Sequence, residues 1–409
     1  MDHEEINAVP ARQGPMTDLR KCVEDWPWCL DLAASILEKA FNKPVTTSEI
    51  IYIHESTNIG NPNEVKEKTE SAIKYILEEI ANKSGQYYIV LALPSEAFDF
   101  NFLKFTDAFV KKLVLEYKIN YNDIVYLTGA SDTVNNRKLY YDYCIKNNYL
   151  PTQIVYHNYF EYLQCKYANR DAHIEEIEFN SNPNSTKKFL FLNGVARPHR
   201  LFLLGELIKR DLLELSYYSM VDTPQSIYQY QYEPISNFSK MIKEYVSTIQ
   251  DRLPINLSLK QDLSNMGKVT KEDEVFYQTS LFSLISETLF LSNMDTSTLN
   301  YRLATWCYPC HFVTEKTWKP IKAKHPFIVA STPYFLRELR ELGYKTFSPY
   351  IDESYDLIEN DEQRIYAIVD EVERLCKMNE TETQEWLNNV ERICDYNYRL
   401  LKRRGFQAK

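Results

Sequence analysis

The 409 residues exceed what one hydrophobic core usually serves, so two domains of about 180 to 220 residues are expected. With 44% hydrophobic and 25% charged residues the chain is globular; it has no apolar run of about 18 residues to span a bilayer, and its start, Met1-Asp2-His3-Glu4-Glu5, is too acidic for a secretory signal. A soluble, cytoplasmic protein without a transmembrane segment is therefore expected, and its net charge of -10 opposes broad attraction to nucleic acid or an anionic membrane.

The first predicted element is a helix from Leu30 to Phe41, an N-terminal extension. Strand-like and helical segments then alternate: strand Glu49 to His54, helix Glu64 to Lys83, strand Tyr87 to Leu93, helix Phe102 to Tyr117. Strand Asp123 to Leu127, helix Asn135 to Asn147 and strand Gln153 to His157 continue the series. Such alternation of short β-branched or aromatic runs with helices implies a parallel, doubly wound sheet. The polar, breaker-rich stretch Asn180-Ser181-Asn182-Pro183-Asn184-Ser185-Thr186 reads as the interdomain boundary.

The alternation restarts beyond it. Strand Lys188 to Asn193, helix Pro198 to Arg210, strand Glu214 to Ser219 and helix Ile235 to Ile249 come first. Further strands are expected at Phe276 to Glu287, Phe327 to Ala330 and Lys345 to Phe347, and helices at Glu362 to Met378 and Glu382 to Arg403 close the chain. Residues 253 to 274 and 292 to 310 read as insertions or active-site loops. The expected fold class is α/β, with two Rossmann-like doubly wound domains and a cleft between them. Residues 1–182 are expected to form an N-terminal domain with a helical extension, 183–378 a C-terminal domain, and 379–409 a terminal helix packing back across both.

Two strand-to-helix junctions in the second half carry positive charge at the wrong end of a helix. In the first, strand residues 188 to 193 run into Gly194-Val195-Ala196-Arg197-Pro198-His199-Arg200, and Pro198 suits the first helical position. In the second, Thr314 reads as an N-cap, with Glu315 and Lys316 in the first turn. A helix N-terminus already carries about half a positive charge, so an added cation is unfavourable unless an anion neutralises both, and phosphate is the fitting anion. Both junctions lie in local basic patches. From Lys187 to Arg210 six Lys or Arg face one acid, Glu206, and from Thr314 to His325 four lysines face Glu315. Solvated basic faces are the plainer reading of either patch alone.

The usual nucleotide fingerprints, GxGxxG and the P-loop, are missing from a chain with only 9 glycines. Eight irregularly placed cysteines suggest reduced thiols. Cys307-Tyr308-Pro309-Cys310-His311 matches the haem-attachment pattern, but a zinc site would need two more ligands that no nearby pair supplies, so a structural role is favoured over a redox or metal one.

Thr314-Glu315-Lys316, preceded by Ser286-Glu287-Thr288 and followed by His325-Pro326-Phe327-Ile328-Val329, resembles the donor-binding signature of the α1,3/1,4-fucosyltransferase family, a family of GT-B glycosyltransferases. The segment Arg200-Leu201-Phe202-Leu203-Leu204-Gly205-Glu206-Leu207 after Asn193 is similar to the first helix of that family's C-terminal domain, and the likeness covers residues 187 to 348. It implies that Arg200 and Lys316 bind a donor pyrophosphate and that Glu315 accepts hydrogen bonds from ribose hydroxyls. Asn193, Arg197, Arg200, Glu287, Thr314, Glu315 and Lys316 are accordingly the donor-binding candidates. His199 is either one more donor or an exposed helix residue. Pro320 is expected to interrupt the second helix soon after Lys316.

The resemblance implies an inverting transfer from a nucleotide sugar to a glycan or other hydroxyl acceptor, guanosine diphosphate fucose being the family's suggestion. The leaving diphosphate would be neutralised by Arg200, Lys316 and the helix ends, so no metal or other cofactor is demanded. The mechanism needs a carboxylate from the first domain. Glu96 is the candidate, just past strand 87 to 93 at the carboxyl edge where doubly wound sheets hold ligands, and Glu161, just past strand 153 to 157, is the alternative. Two other readings compete: a viral-type glycosyltransferase acting on hydroxymethylated DNA, which the acidic charge disfavours, and a non-catalytic module that binds a nucleotide sugar.

Overall fold

Two parallel four-stranded sheets organise the chain. The computed structural model describes residues 28–54, 62–93, 100–162, 178–194, 197–220, 271–292 and 310–407. They fall into two compact units, residues 1–159 and 160–409. The expected helix at 235 to 249 lies outside the described residues.

In the first unit β1 (Ile50–His54), β2 (Tyr88–Leu93), β3 (Ile124–Thr128) and β4 (Gln153–Tyr156) lie side by side in chain order. Helix α1 (Trp28–Phe41) buries Ala33, Ala34 and Leu37 against Ile50, Tyr52, Val90, Val125 and Leu127 on one face. Helices α2 (Pro62–Ala81), α3 (Phe100–Leu115) and α4 (Val134–Lys146) each link neighbouring strands. Parallel crossovers are right-handed, which puts these three on the opposite face. Both faces are thus covered, but the order never reverses, so this sheet has no switch-point crevice among its described strands.

The second unit differs in that respect. Strands β5 (Phe189–Asn193), β6 (Ser216–Met220), β7 (Phe282–Ser286) and β8 (Phe327–Ala330) are ordered β6-β5-β7-β8. The chain leaves β5 to one side and returns on the other. Helix α5 (Pro198–Lys209) therefore crosses one face, while α6 (Lys271–Gln278) and α7 (Glu315–Lys322) lie on the other, packing Phe276, Tyr277 and Ala323 on Leu190, Leu192 and Tyr217. Phe189, Phe191, Phe202, Phe282 and Phe290 are all fully buried, each worth about 1.5 to 3 kcal/mol.

Helices α8 (Phe335–Glu341), α9 (Asp361–Cys376) and α10 (Glu380–Gln407) complete the unit. Asn180 and Asn184, from the expected boundary at residues 182 and 183, bond to Ser280 and Glu380 of this same unit. Among the described residues no helix is long and apolar enough to cross a membrane.

Two expected strands are corrected. Residues 276 to 278 end α6, where Thr279 and Ser280 hydroxyls donate to the Val275 and Phe276 carbonyls, and β7 starts only at Phe282. Lys345 to Phe347 join no sheet. The Asn397 side chain takes both main-chain groups of Lys345, at 2.8 Å each, and the Glu353 carboxylate takes the Phe347 N–H. Side chains have replaced a neighbouring strand there. Pro320 does not end α7 either, which runs on to Lys322; proline at the sixth position removes one main-chain bond and leaves the N-terminal turn intact.

Candidate functional site

Open α/β sheets hold ligands outside the carboxyl ends of their strands, where the order reverses. In the second unit that point lies between β5 and β7. Pairing there covers Phe189 with Phe282 and Leu190 with Ser283, whereas β5 pairs with β6 along all five residues. The carboxyl ends of β5 and β7 are thus not bonded to each other.

Helix α5 starts beside this opening. Arg197 is its N-cap and Pro198 its first residue. Arg197 Nη1 donates to the Thr288 carbonyl at 3.2 Å. Arg200 is 2% exposed, and its Nη2 donates to the carbonyls of Ser286 and Glu287, each at 3.3 Å. His199 is also buried; its Nε2 bonds the Glu287 carbonyl at 3.0 Å and its ring stacks on Phe290 at 5.0 Å. Burial and the charges of Arg200 and Arg197 hold its pKa well below the ordinary histidine value. His199 is therefore a neutral core residue, not an exposed one.

Helix α7 meets the same strand end from the other face. Thr314 is its N-cap, as expected, and its hydroxyl accepts from the Lys316 N–H at 3.4 Å. That hydroxyl also donates to Glu287 Oε2 at 2.6 Å, while Glu287 Oε1 takes the Thr314 N–H at 3.1 Å and the Thr317 hydroxyl at 2.6 Å. The Thr288 N–H completes the set at 3.1 Å. Glu287 is fully buried, and its carboxylate is filled by threonines. Glu287, expected from sequence to contact the donor, fixes both helix starts: its carboxylate holds α7 and its carbonyl holds His199 and Arg200 of α5.

Glu315 and Lys316 remain at the surface of this assembly, with side chains 18% and 23% exposed. Their charges pair at 2.8 Å, and Lys316 Nζ also donates to the hydroxyls of Thr314 at 3.1 Å and Thr288 at 3.4 Å. Burial alone would raise the Glu315 carboxyl; the Lys316 charge and hydrogen bond, with Lys319, outweigh it and hold the pKa down to about 2. Burial lowers Lys319, against the pull of Glu315 and Asp273. These hydroxyl contacts and the ion pair hold the Lys316 ammonium in place at the start of α7.

The first-domain candidates fare differently. Glu96 lies outside the described residues. Glu161 belongs to the second unit, where its buried Oε1 takes the Tyr344 hydroxyl at 2.6 Å and Arg404 Nη1 at 2.5 Å. It ties α10 to the loop after α8. The Cys310 and His311 pair is buried as well, His311 Nδ1 meeting the Thr332 hydroxyl at 3.0 Å and burial lowering its pKa to about 3. No group of three metal-ligating side chains occurs among the described residues. Cys307 lies outside them.

From sequence, Ser286 enters only within the run Ser286-Glu287-Thr288, and Thr317 has no expected role. Ser286 is a small polar residue ending an otherwise apolar strand, and Thr317 stands three positions after the cap, one helical turn away.

No family model matches the sequence, and no curated protein matches it. Among solved structures the chain is similar to the α,α-trehalose 6-phosphate synthase of Burkholderia multivorans, at 11% identity and a TM-score of 0.36, over 94% of this chain and 74% of that one. A likeness so slight carries no argument. The functional reading rests on the residues themselves.

Proposed function

We propose that the chain is a glycosyltransferase whose second unit binds a nucleotide sugar at the carboxyl ends of β5 and β7, and that this donor site is fucosyltransferase-like. One observation carries the reading: the N-termini of α5 and α7, both bearing cations, are anchored to the same residue, Glu287, beside the switch point of the sheet. Two helix dipoles and the charges of Arg197, Arg200 and Lys316 then converge on one place, which suits a diphosphate.

In the proposed reaction an acceptor hydroxyl attacks the anomeric carbon while a carboxylate, proposed as Glu96, takes its proton. The new glycosidic bond forms as the bond to the diphosphate breaks, with inversion. Lys316 and the helix ends neutralise the leaving group, and no metal is required. Glu315 is proposed to receive the ribose hydroxyls. The acceptor is proposed to be a glycan or another hydroxyl compound.

The test is a thermal-shift panel of nucleoside diphosphates and their sugar conjugates. A ligand at 100 times its dissociation constant adds about 2.7 kcal/mol of stability. Binding accompanied by slow hydrolysis of the conjugate supports an enzyme. Binding without any turnover favours a non-catalytic module, and no binding at all removes the donor site.

A further inference from the structure

The switch point holds one feature that the cations do not explain. Asn193, the last residue of β5, is 2% exposed, and among the described residues neither its amide nitrogen nor its amide oxygen has a hydrogen-bond partner. Ser286, the last residue of β7, is equally buried, and its hydroxyl too has no partner among the described residues. A buried polar group left unsatisfied costs about 1 to 3 kcal/mol, and most folded proteins avoid it.

The two residues end adjacent strands of one sheet. Phe189 pairs with Phe282, and the same offset of 93 residues, continued past the end of the ladder at Leu190 and Ser283, matches Asn193 with Ser286. Side chains alternate along a strand, so Asn193 shares a face with Phe189, and Ser286 with Phe282. Those two phenylalanines stack at 5.6 Å, so the faces are one and the same, opposite the Leu190 and Leu192 face that packs on α6. It is the face α5 crosses. Both groups stand where the β5–β7 ladder has stopped, next to the Ser286 and Glu287 carbonyls held by Arg200.

We propose that Asn193 and Ser286 form a neutral subsite for the hydroxyl groups of the donor's sugar, beside the cations proposed to hold its phosphates. This rests on the donor reading above and adds to it which residues choose the sugar. The chemistry decides between the parts of the ligand. Phosphate only accepts hydrogen bonds, so it would satisfy the amide nitrogen and leave the amide oxygen of Asn193 bare. A sugar hydroxyl both donates and accepts, and two of them satisfy all three unpartnered atoms at once. Sites that hydrogen-bond a hydroxyl with buried groups discriminate strongly against ligands lacking it, because those groups are then left unpaired.

The experiment compares full-length wild type with Asn193→Ala and Ser286→Ala, using UDP, GDP and ADP and the hexose conjugate of each in a calorimetric titration. For the nucleotide that binds, its conjugate should lose about 10-fold or more in affinity in each variant, while the bare diphosphate changes by less than about 2-fold. The unliganded variants should melt no lower than wild type, since no bond is removed from the ligand-free protein. Equal losses for diphosphate and conjugate would overturn the assignment, as would no loss for either, which would mean a hydrated pair only. If wild type binds none of the six compounds, the donor reading itself fails. The melting result still stands apart from that, because a marked fall in the variants' melting temperature would show that the two side chains are structural.

Discussion

The Glu287 carboxylate receives both the hydroxyl and the main-chain N–H of Thr314, at 2.6 and 3.1 Å, so the cap of one helix is itself held by the end of a neighbouring strand. Glu287→Gln keeps the shape but puts an amide nitrogen where hydrogen bonds must be accepted. It should lower unfolding stability by roughly 3 kcal/mol, as expected for breaking a buried charge-assisted network. Denaturant melts measure this directly, and a loss below about 1 kcal/mol would show that the threonines do not depend on Glu287.

Lys316 and Arg200 should separate in behaviour, although both were expected from sequence to be surface phosphate ligands. Lys316→Ala should leave stability within about 0.5 kcal/mol and cost roughly 1.5 to 3 kcal/mol of diphosphate binding. Arg200 is buried on two carbonyls, so Arg200→Ala should destabilise the fold as well. Matching stability for the two variants would contradict this division.

Activity should survive chelation. The protein cations already neutralise the leaving diphosphate in the proposed mechanism, so EDTA should reduce turnover only modestly. Complete loss, restored by manganese or magnesium, would falsify the metal-free mechanism.

Glu96→Gln should retain donor binding while transfer falls by about 100-fold or more. Glu161→Gln should act on stability instead, because its carboxylate bonds Tyr344 and Arg404. The idea is discarded if Glu96→Gln transfers sugar near the wild-type rate, or if Glu161→Gln is the variant that loses transfer at unchanged stability.

Buried ionisable groups set opposing pH trends. Burial lowers His157 and His325 to about 4, below their unfolded values, so their contribution is complete above about pH 6.5 and is lost as pH falls towards 4. Burial raises Asp356 to about 7, against the Leu336 N–H it accepts, so its contribution is complete below about pH 4 and is lost as pH rises to 7. Asp356→Asn cannot ionise and should therefore gain on wild type as pH rises from 5 to 8. Unfolding free energies at both pH values test this, and a constant difference between the two proteins would refute the assignment.

Much of the local structure was legible in the chain. The alternation of apolar and helical periods located all eight described strands to within a few residues, apart from the early start assigned to β7, and Thr314 and Pro198 announced their helices because capping and proline effects act over one turn. Charge placed against a helix dipole likewise needs no partner to be recognised, which is why Arg197, Arg200 and Lys316 stood out. Tertiary structure alone decided the rest. That the Glu287 carboxylate holds three threonines depends on residues 27 and 30 positions away, which no local pattern announces. Arg200 and Glu161 were drawn inward by carbonyls and an arginine far along the chain, and Lys345 to Phe347 lost their strand to Asn397 and Glu353. The reversal of strand order that opens the β5–β7 edge, and with it the unsatisfied pair Asn193 and Ser286, has no local signature, because it exists only once the strands have chosen their neighbours.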